Sequence, residues 1–169
     1  SNSNTATVVS YFGPSGLNYI PATLSHLTDW GGNATRLNND MNSGAFMLQH
    51  RDHGSTSGWG EPSYGSSDIN GLTNSGIPTF VFSVNCLTGK FNSSSECFAE
   101  KFHRYSNGGA LGIIAASETS YSFVNDTYVW GLYDYMWPDF MPAYGNPGPL
   151  SILPAFGNVA GKYFLEQSS

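Results

Sequence analysis

Apolar residues fall in two continuous runs near the middle of the chain, "TFVFSVNC" at 79–86 and "ALGIIAAS" at 110–117, and neither shows a helical stripe. Such runs predict strands buried on both faces, the pattern of a parallel sheet covered by helices. A third run, "AFMLQHRD" at 45–52, begins apolar and ends on charge. Between the runs the period changes. Segment 34–44 predicts a short helix capped by Thr35 or Asn33 and stopped by Gly44. Segment 68–76 predicts a helical turn. In segment 93–109, Ser93 and Glu96 stand at capping-box spacing, Phe98, Phe102 and Tyr105 share one face, and Gly108–Gly109 ends the helix. An aromatic helix is predicted over about 123–137, and a last one within 150–167, where Pro154 limits the start. Segments 7–12 and 17–27 read as short extended pieces, broken by Pro21, and 54–67 and 138–149 read as Gly/Ser-rich and Pro/Gly-rich loops.

Strands alternating with helices define an α/β domain with a largely parallel sheet covered on both faces. There is no internal repeat. In such sheets ligands bind beyond the carboxyl ends of the strands. His53, Cys86 and the segment Ser117–Phe123 all lie just past such ends.

At 169 residues the chain is about one domain long, and 40% apolar with 15% aromatic content is ample for a core. We read residues 7–169 as that domain and 1–6 as a frayed or appended end. Only 11% of residues are charged, the net charge is −6 and the pI is near 4.9, which argues against a nucleic-acid partner. No stretch approaches the roughly 20 apolar residues that span a bilayer, and no charged-then-apolar signal segment opens the chain. A mature or excised soluble piece is the expectation. Little Lys with abundant Asn, Ser, Gly and Tyr leans toward a secreted or surface bacterial protein. Cys86 sits at a strand end and Cys97 opens a helix, which disfavours a disulfide between them; in an oxidising compartment one would contribute about 2–3 kcal/mol.

A thiolate nucleophile needs a base or cation nearby, and an imidazole one hydrogen bond away serves as both. Two consecutive parallel strands joined by one crossover bring their carboxyl ends within roughly 5–10 Å, which makes His53 and Cys86 partners. Gly54 leaves its backbone amide open, so its N–H and that of Cys86 are placed to face a developing oxyanion.

The blocks "DHGSTSGWG", "LTNSGIPTFVFSVNCLTGKF", "ECFAEKF" and "GIIAAS" resemble the catalytic subdomain of the gingipains, the caspase-like cysteine endopeptidases of bacterial surfaces and secretions. Matching elements run from about residue 33 to residue 165. The motif set is specific: an apolar strand closing on His-Gly, another closing on Cys, and "CFAE" beginning eleven residues after that Cys. The resemblance implies a caspase-like three-layer sandwich, with a mostly parallel central sheet and helices on both faces, in an incomplete, excised or shortened version. It implies that His53 and Cys86 form a catalytic dyad and that Gly54 and Cys86 supply the oxyanion-hole amides. Segment 117–123 matches the stretch that lays the substrate backbone as an added strand, with Ser117, Glu118, Tyr121, Ser122 and Phe123 as substrate-binding residues. Phe123 falls where the family places an aromatic wall of the S1 pocket, and Tyr121 and Ser122 where it lines that pocket. Glu118 is a loose candidate for reading a basic P1 side chain. The implied partners are a polypeptide substrate and a missing amino-terminal subdomain or propeptide. No cofactor is implied for the chemistry, and the structural calcium of relatives has no legible ligands here.

Three features depart from the family pattern. Asp52 stands where the family has Gly before His-Gly. The acids that orient the histidine and read P1 would precede residue 1, and the strand that follows the last helix in relatives is absent.

Two rival readings remain. The run "HRDH" has the His-x-Asp-His pattern found in metal-dependent hydrolases, so a hydrolase using His50, Asp52 and His53 is one alternative. Against it, alternation puts His50 and Asp52 on one face and His53 on the other, and no second His/Asp cluster completes a site. A non-catalytic surface or glycan-binding module built on Trp59, Trp130, Trp137 and the tyrosines is another, although helical spacing makes Tyr128, Trp130 and Tyr133 packing residues first. His50 reads as structural or exposed, and His26 and His103 as loop and helix-surface residues.

Overall fold

The computed structural model describes residues 16, 32–137 and 152–168. The end at 1–6, the extended pieces at 7–12 and 17–27, the loop at 138–149 and His26 lie outside them.

Asn33 caps the first helix, α1 (Ala34–Asn42), by accepting the Arg36 amide on its side-chain oxygen at 3.0 Å. This satisfies one of the orphan N–H groups of the first turn. Gly44 closes the helix at φ +95°, where a side chain would be strained. The chain then enters β1 (Met47–His50), shorter than the predicted 45–52.

Residues 54–65 carry β2 (Gly54–Ser55), β3 (Gly58–Trp59) and β4 (Tyr64–Gly65), a small antiparallel sheet in that order. Sequence patterning predicted only a loop, because two-residue strands have no period to read. Its Trp59 and Tyr64 are buried core residues. A short 3₁₀ turn (Asp68–Gly71), β5 (Thr79–Ser83), α2 (Phe98–Arg104), β6 (Ala110–Ala115), α3 (Ser122–Met136) and α4 (Pro154–Gln167) follow.

The start of α2 differs from the expected Ser93–Glu96 box. The Glu100 carboxylate accepts the Cys97 amide at 2.9 Å, and Glu96 instead pairs with Arg104 at 3.1 Å. Carbonyls of Thr56 and Thr88 take the Phe98 and Ala99 amides at 2.8 and 2.9 Å. Tertiary partners therefore satisfy the first turn, and the helix begins where Phe98 and Phe102 can both be fully buried.

The main sheet has the order β1-β5-β6, with both pairs parallel. Its carboxyl edge is level: His50 faces Ser83, and Ser83 faces Ala115. Along the central strand, β5, alternate side chains enter different cores. Val81 packs with Met41, Trp59, Tyr64, Phe98 and Phe102; Phe82 packs with Tyr128, Leu132 and Met136 on the other side. Each such burial is worth about 1.5–3 kcal/mol. Two-sided burial thus holds for β5. For β6 it holds only in part: it lies at the edge of the described sheet, and Leu111 is 66% exposed.

Helices α3 and α4 cover the Phe82 face and approach closely through glycine. A Cβ on Gly131 would stand 2.3 Å from Phe164 Cβ, and one on Gly161 2.8 Å from the Tyr128 ring. With α1 and α2 packed on the Val81 face, three layers result.

Candidate active site

His53 and Cys86 each lie three residues beyond the last registered pair, His50–Ser83. Their backbones leave the sheet side by side from neighbouring parallel strands, as the sequence predicted. The two turns touch. A Cβ on Gly54 would stand 2.5 Å from Asn85 Oδ1 and 2.8 Å from the Cys86 carbonyl oxygen, so only glycine lets the His-Gly turn rest on the Asn85–Cys86 backbone.

His53 is exposed. Its amide donates to Asp52 Oδ1 at 2.7 Å and its carbonyl accepts the Gly60 amide at 2.9 Å, fixing the backbone on both sides of the ring. Partial burial pushes the Asp52 carboxyl up, but the His53 amide bond helps to hold it below its ordinary value. Asp52, the departure noted in the sequence, thus braces the His53 backbone. Arg51 extends the brace: Nε donates to Asp126 Oδ1 at 2.7 Å and an Nη to the Ser122 carbonyl at 2.9 Å, which anchors the exit of β1 on the first turn of α3.

Cys86 is partly buried and unpaired with Cys97; both thiols are free. The Cys86 thiol donates to the Ser120 carbonyl at 3.3 Å. Ser120 Oγ accepts Asn125 Nδ2 at 2.9 Å, so α3 steadies the residue that the thiol touches. Leu87, next in the chain, adopts φ +61°, a left-handed conformation disfavoured for a branched side chain. Its amide donates to the Glu118 carbonyl at 3.3 Å, and the Gly89 amide donates to the Ala116 carbonyl at 2.9 Å. A Lys90–Glu118 ion pair of 2.7 Å adds a side-chain link. The Cys86 loop is therefore laced along residues 116–120.

Of the proposed substrate residues, Ser117, Glu118, Tyr121, Ser122 and Phe123 are all exposed on this edge. The Tyr121 and Phe123 rings stack at 6.4 Å between centroids. Tyr121 is the N-cap of α3 and Ser122 its first residue, so the expected strand-like stretch turns helical before its end. The Glu118 carboxylate is engaged by Lys90. Beside the loop a cavity of about 430 Å³ opens between the β5 and β6 ends and α3–α4, lined among others by Val84, Asn125, Tyr128, Asn158 and Lys162.

His50 is buried, as one of its two readings required, and stacks on Trp59 with centroids 4.4 Å apart and planes 4° from parallel. Desolvation lowers its pKa to about 4, so the ring is neutral near pH 7. Sequence reasoning missed Asn85. The signal was there: Ser83 and Asn85 are polar positions inside an apolar run, and buried polar groups require partners. Among the described residues no three His, Cys, Asp or Glu gather closely enough to hold a metal ion.

The profile of peptidase family C25 matches residues 3–152. Lys-gingipain HG66 of Porphyromonas gingivalis is 30% identical over 132 residues, which is 76% of this chain and 7% of that protein. Gingipain R2 of the same organism is 35% identical over 81 residues, covering 46% of this chain and 11% of that one. The chain thus spans about a tenth or less of these relatives' length. The crystal structure of the Arg specific cysteine proteinase gingipain R superposes with a TM-score of 0.71 at 22% identity, over 82% of this chain and 32% of that one. A complex of the Porphyromonas gingivalis RgpB pro- and mature domains superposes at 0.68 and 21% identity, over 81% and 32%. The fold is therefore the caspase-like α/β arrangement, and this chain belongs to peptidase family C25.

Proposed function

We propose that the chain carries the Cys-His dyad of a cysteine endopeptidase, with Cys86 as nucleophile and His53 as general base and acid. The observation that carries this reading is the in-register pairing of β1 and β5, with Gly54 seated against the Cys86 carbonyl. The thiol proton passes to His53 as Sγ attacks the scissile carbonyl carbon. The Gly54 and Cys86 N–H groups receive the oxyanion, and His53 returns the proton to the leaving amine. His53 then takes a proton from water, which attacks the acyl-enzyme and frees the carboxylic acid and the thiol. In the resting protein the thiol rests on the Ser120 carbonyl, and attack requires leaving that contact.

Segment 117–123 presents the substrate, with Tyr121 and Phe123 against its side chains. No cofactor enters these steps. A propeptide or amino-terminal subdomain is the proposed partner, in keeping with the complex of pro- and mature domains among the similar structures. Secretion or surface display fits the composition, and among the described residues no helix is long and apolar enough to cross a membrane.

A peptidyl chloromethyl ketone tests the dyad. Mass spectrometry should find the label on Cys86, and His53→Ala should slow labelling by about a hundredfold or more, on the order expected for loss of an activating base. Labelling undiminished in His53→Ala contradicts the dyad. Activity that a chelator abolishes and alkylation spares would favour the metallohydrolase, and glycan binding without either sensitivity the binding module.

A further inference from the structure

We infer that His50 and Asn85 form a positioning pair that holds the Cys86 loop against the hairpin bearing His53. The inference rests on the peptidase reading for its catalytic meaning, but the pair itself is defined by hydrogen-bond stoichiometry.

The Glu61 carbonyl lies 3.1 Å from His50 Nε2, and a carbonyl only accepts, so Nε2 carries the proton. In the neutral ring Nδ1 is then a bare acceptor, and Asn85 Nδ2 donates to it at 2.8 Å. The second Asn85 N–H goes to Ser83 Oγ at 3.1 Å. Asn85 Oδ1 accepts Thr88 Oγ1 at 2.7 Å, and the single Ser83 hydroxyl proton has Thr88 Oγ1 at 2.9 Å and Asn85 Oδ1 at 3.2 Å as its acceptors. Trp59 Nε1 closes the set on Ser83 Oγ at 2.8 Å. Both Asn85 donors and its side-chain oxygen are engaged, and Asn85, Thr88 and Ser83 are each at most 1% exposed.

These bonds join three pieces of chain. Glu61 and Trp59 belong to the hairpin that begins at His53-Gly54, Ser83 ends β5, and Asn85 and Thr88 flank Cys86 and Leu87. Asn85 Oδ1 is also the atom on which Gly54 rests. Removing a member of this buried network leaves polar atoms unpaired away from water, so the network resists displacement. The nucleophile is thus held from behind by side chains that never face a substrate. His50 and Asn85 act through the backbone, so they are positioning residues and not catalytic ones.

Two variants separate position from bulk. His50→Phe keeps the stack on Trp59 and loses both hydrogen bonds. His50→Asn returns an acceptor near the Nδ1 position. We expect His50→Phe to cut the peptide kcat about tenfold or more with KM within about twofold, on the scale set by small misplacements of a reacting group, and His50→Asn to recover most of the loss. Iodoacetamide alkylation of Cys86, followed by mass spectrometry, should show the same order without any need for peptidase activity. Equal kcat and alkylation rates in all three proteins, or losses that track only the fall in Tm and are not rescued by His50→Asn, would overturn the inference. Ring ¹⁵N shifts of His50 in the unmodified protein provide a test that needs no variant: a neutral Nε2–H tautomer is expected, and an Nδ1–H or charged ring at pH 7 overturns it. Should the peptide go uncleaved while alkylation and tautomer behave as stated, the peptidase reading fails and the positioning pair stands.

Discussion

The loop that leaves β5 and the loop that leaves β6 start at the same level of the sheet, Ser83 facing Ala115, yet they are built of opposite materials. After β5 come buried polar groups: Asn85 and Thr88 share hydrogen bonds with Ser83 and His50, out of water. After β6 come exposed groups: Ser117, Glu118 and the stacked Tyr121 and Phe123, tied back mainly by backbone bonds and one surface ion pair. Buried networks resist displacement because each broken bond strands a desolvated atom. Exposed segments exchange their partners for water at little cost. The candidate site therefore has a fixed side that carries Cys86 and an adaptable side that carries the proposed substrate-binding residues.

The contrast breaks most sharply at Gly54. An alanine there would push a methyl into Asn85 Oδ1 at 2.5 Å and the Cys86 carbonyl at 2.8 Å. If the proposed dyad holds, Gly54→Ala should cost about a hundredfold in turnover of a peptide substrate, since the Cys86 loop must shift. Wild-type rates in that variant would show that the two turns are not in working contact.

Acid titration probes the fixed side next. The pKa of His50 is lowered from 6.5 to about 4, so below pH 6.5 the unfolded chain binds a proton that the folded chain refuses. Unfolding free energy therefore falls as pH drops from 6.5 toward 4 and levels off below the folded value. The full effect is about 3 kcal/mol at about 1.36 kcal/mol per unit. Urea melts across that window should show the slope in the wild type, and His50→Phe should flatten it.

The adaptable side should barely register in stability. Lys90→Ala removes an ion pair whose Glu118 side chain is 65% exposed, and the unfolding free energy should change by about 0.5 kcal/mol or less. Phe123→Ala, at a residue 73% exposed, should likewise leave stability within about 0.5 kcal/mol while raising KM for peptides a few-fold. A large loss of Tm in either would erase the distinction between the two loops.

Much of this architecture was legible in the pattern of the chain. The apolar runs announced β5 and β6, and His-Gly and Cys at strand ends pointed to one sheet edge. What escaped were features with no period. The two-residue strands around Trp59 lie in a Gly/Ser-rich stretch, and their pairing depends on Gly58 at φ +146°, where a Cβ would meet the Tyr64 carbonyl at 2.3 Å. The start of α2 was misplaced because Ser93–Glu96 and Cys97–Glu100 both have capping spacing, and only the burial of Phe98 and Phe102 decides between them. His50 could be assigned a face by alternation, but its partners arrive from residues 61 and 85 and depend on the fold.

A crystal structure of the protein alkylated by a peptidyl chloromethyl ketone is the most direct test of the dyad. The expected result is a thioether on Cys86, chloride having left the inhibitor's methylene carbon, with a His53 ring nitrogen within about 4 Å of Sγ and the retained ketone oxygen facing the Gly54 and Cys86 amides. A label on Cys86 with both His53 nitrogens more than about 8 Å from Sγ would contradict it, because the proton would have no path between them.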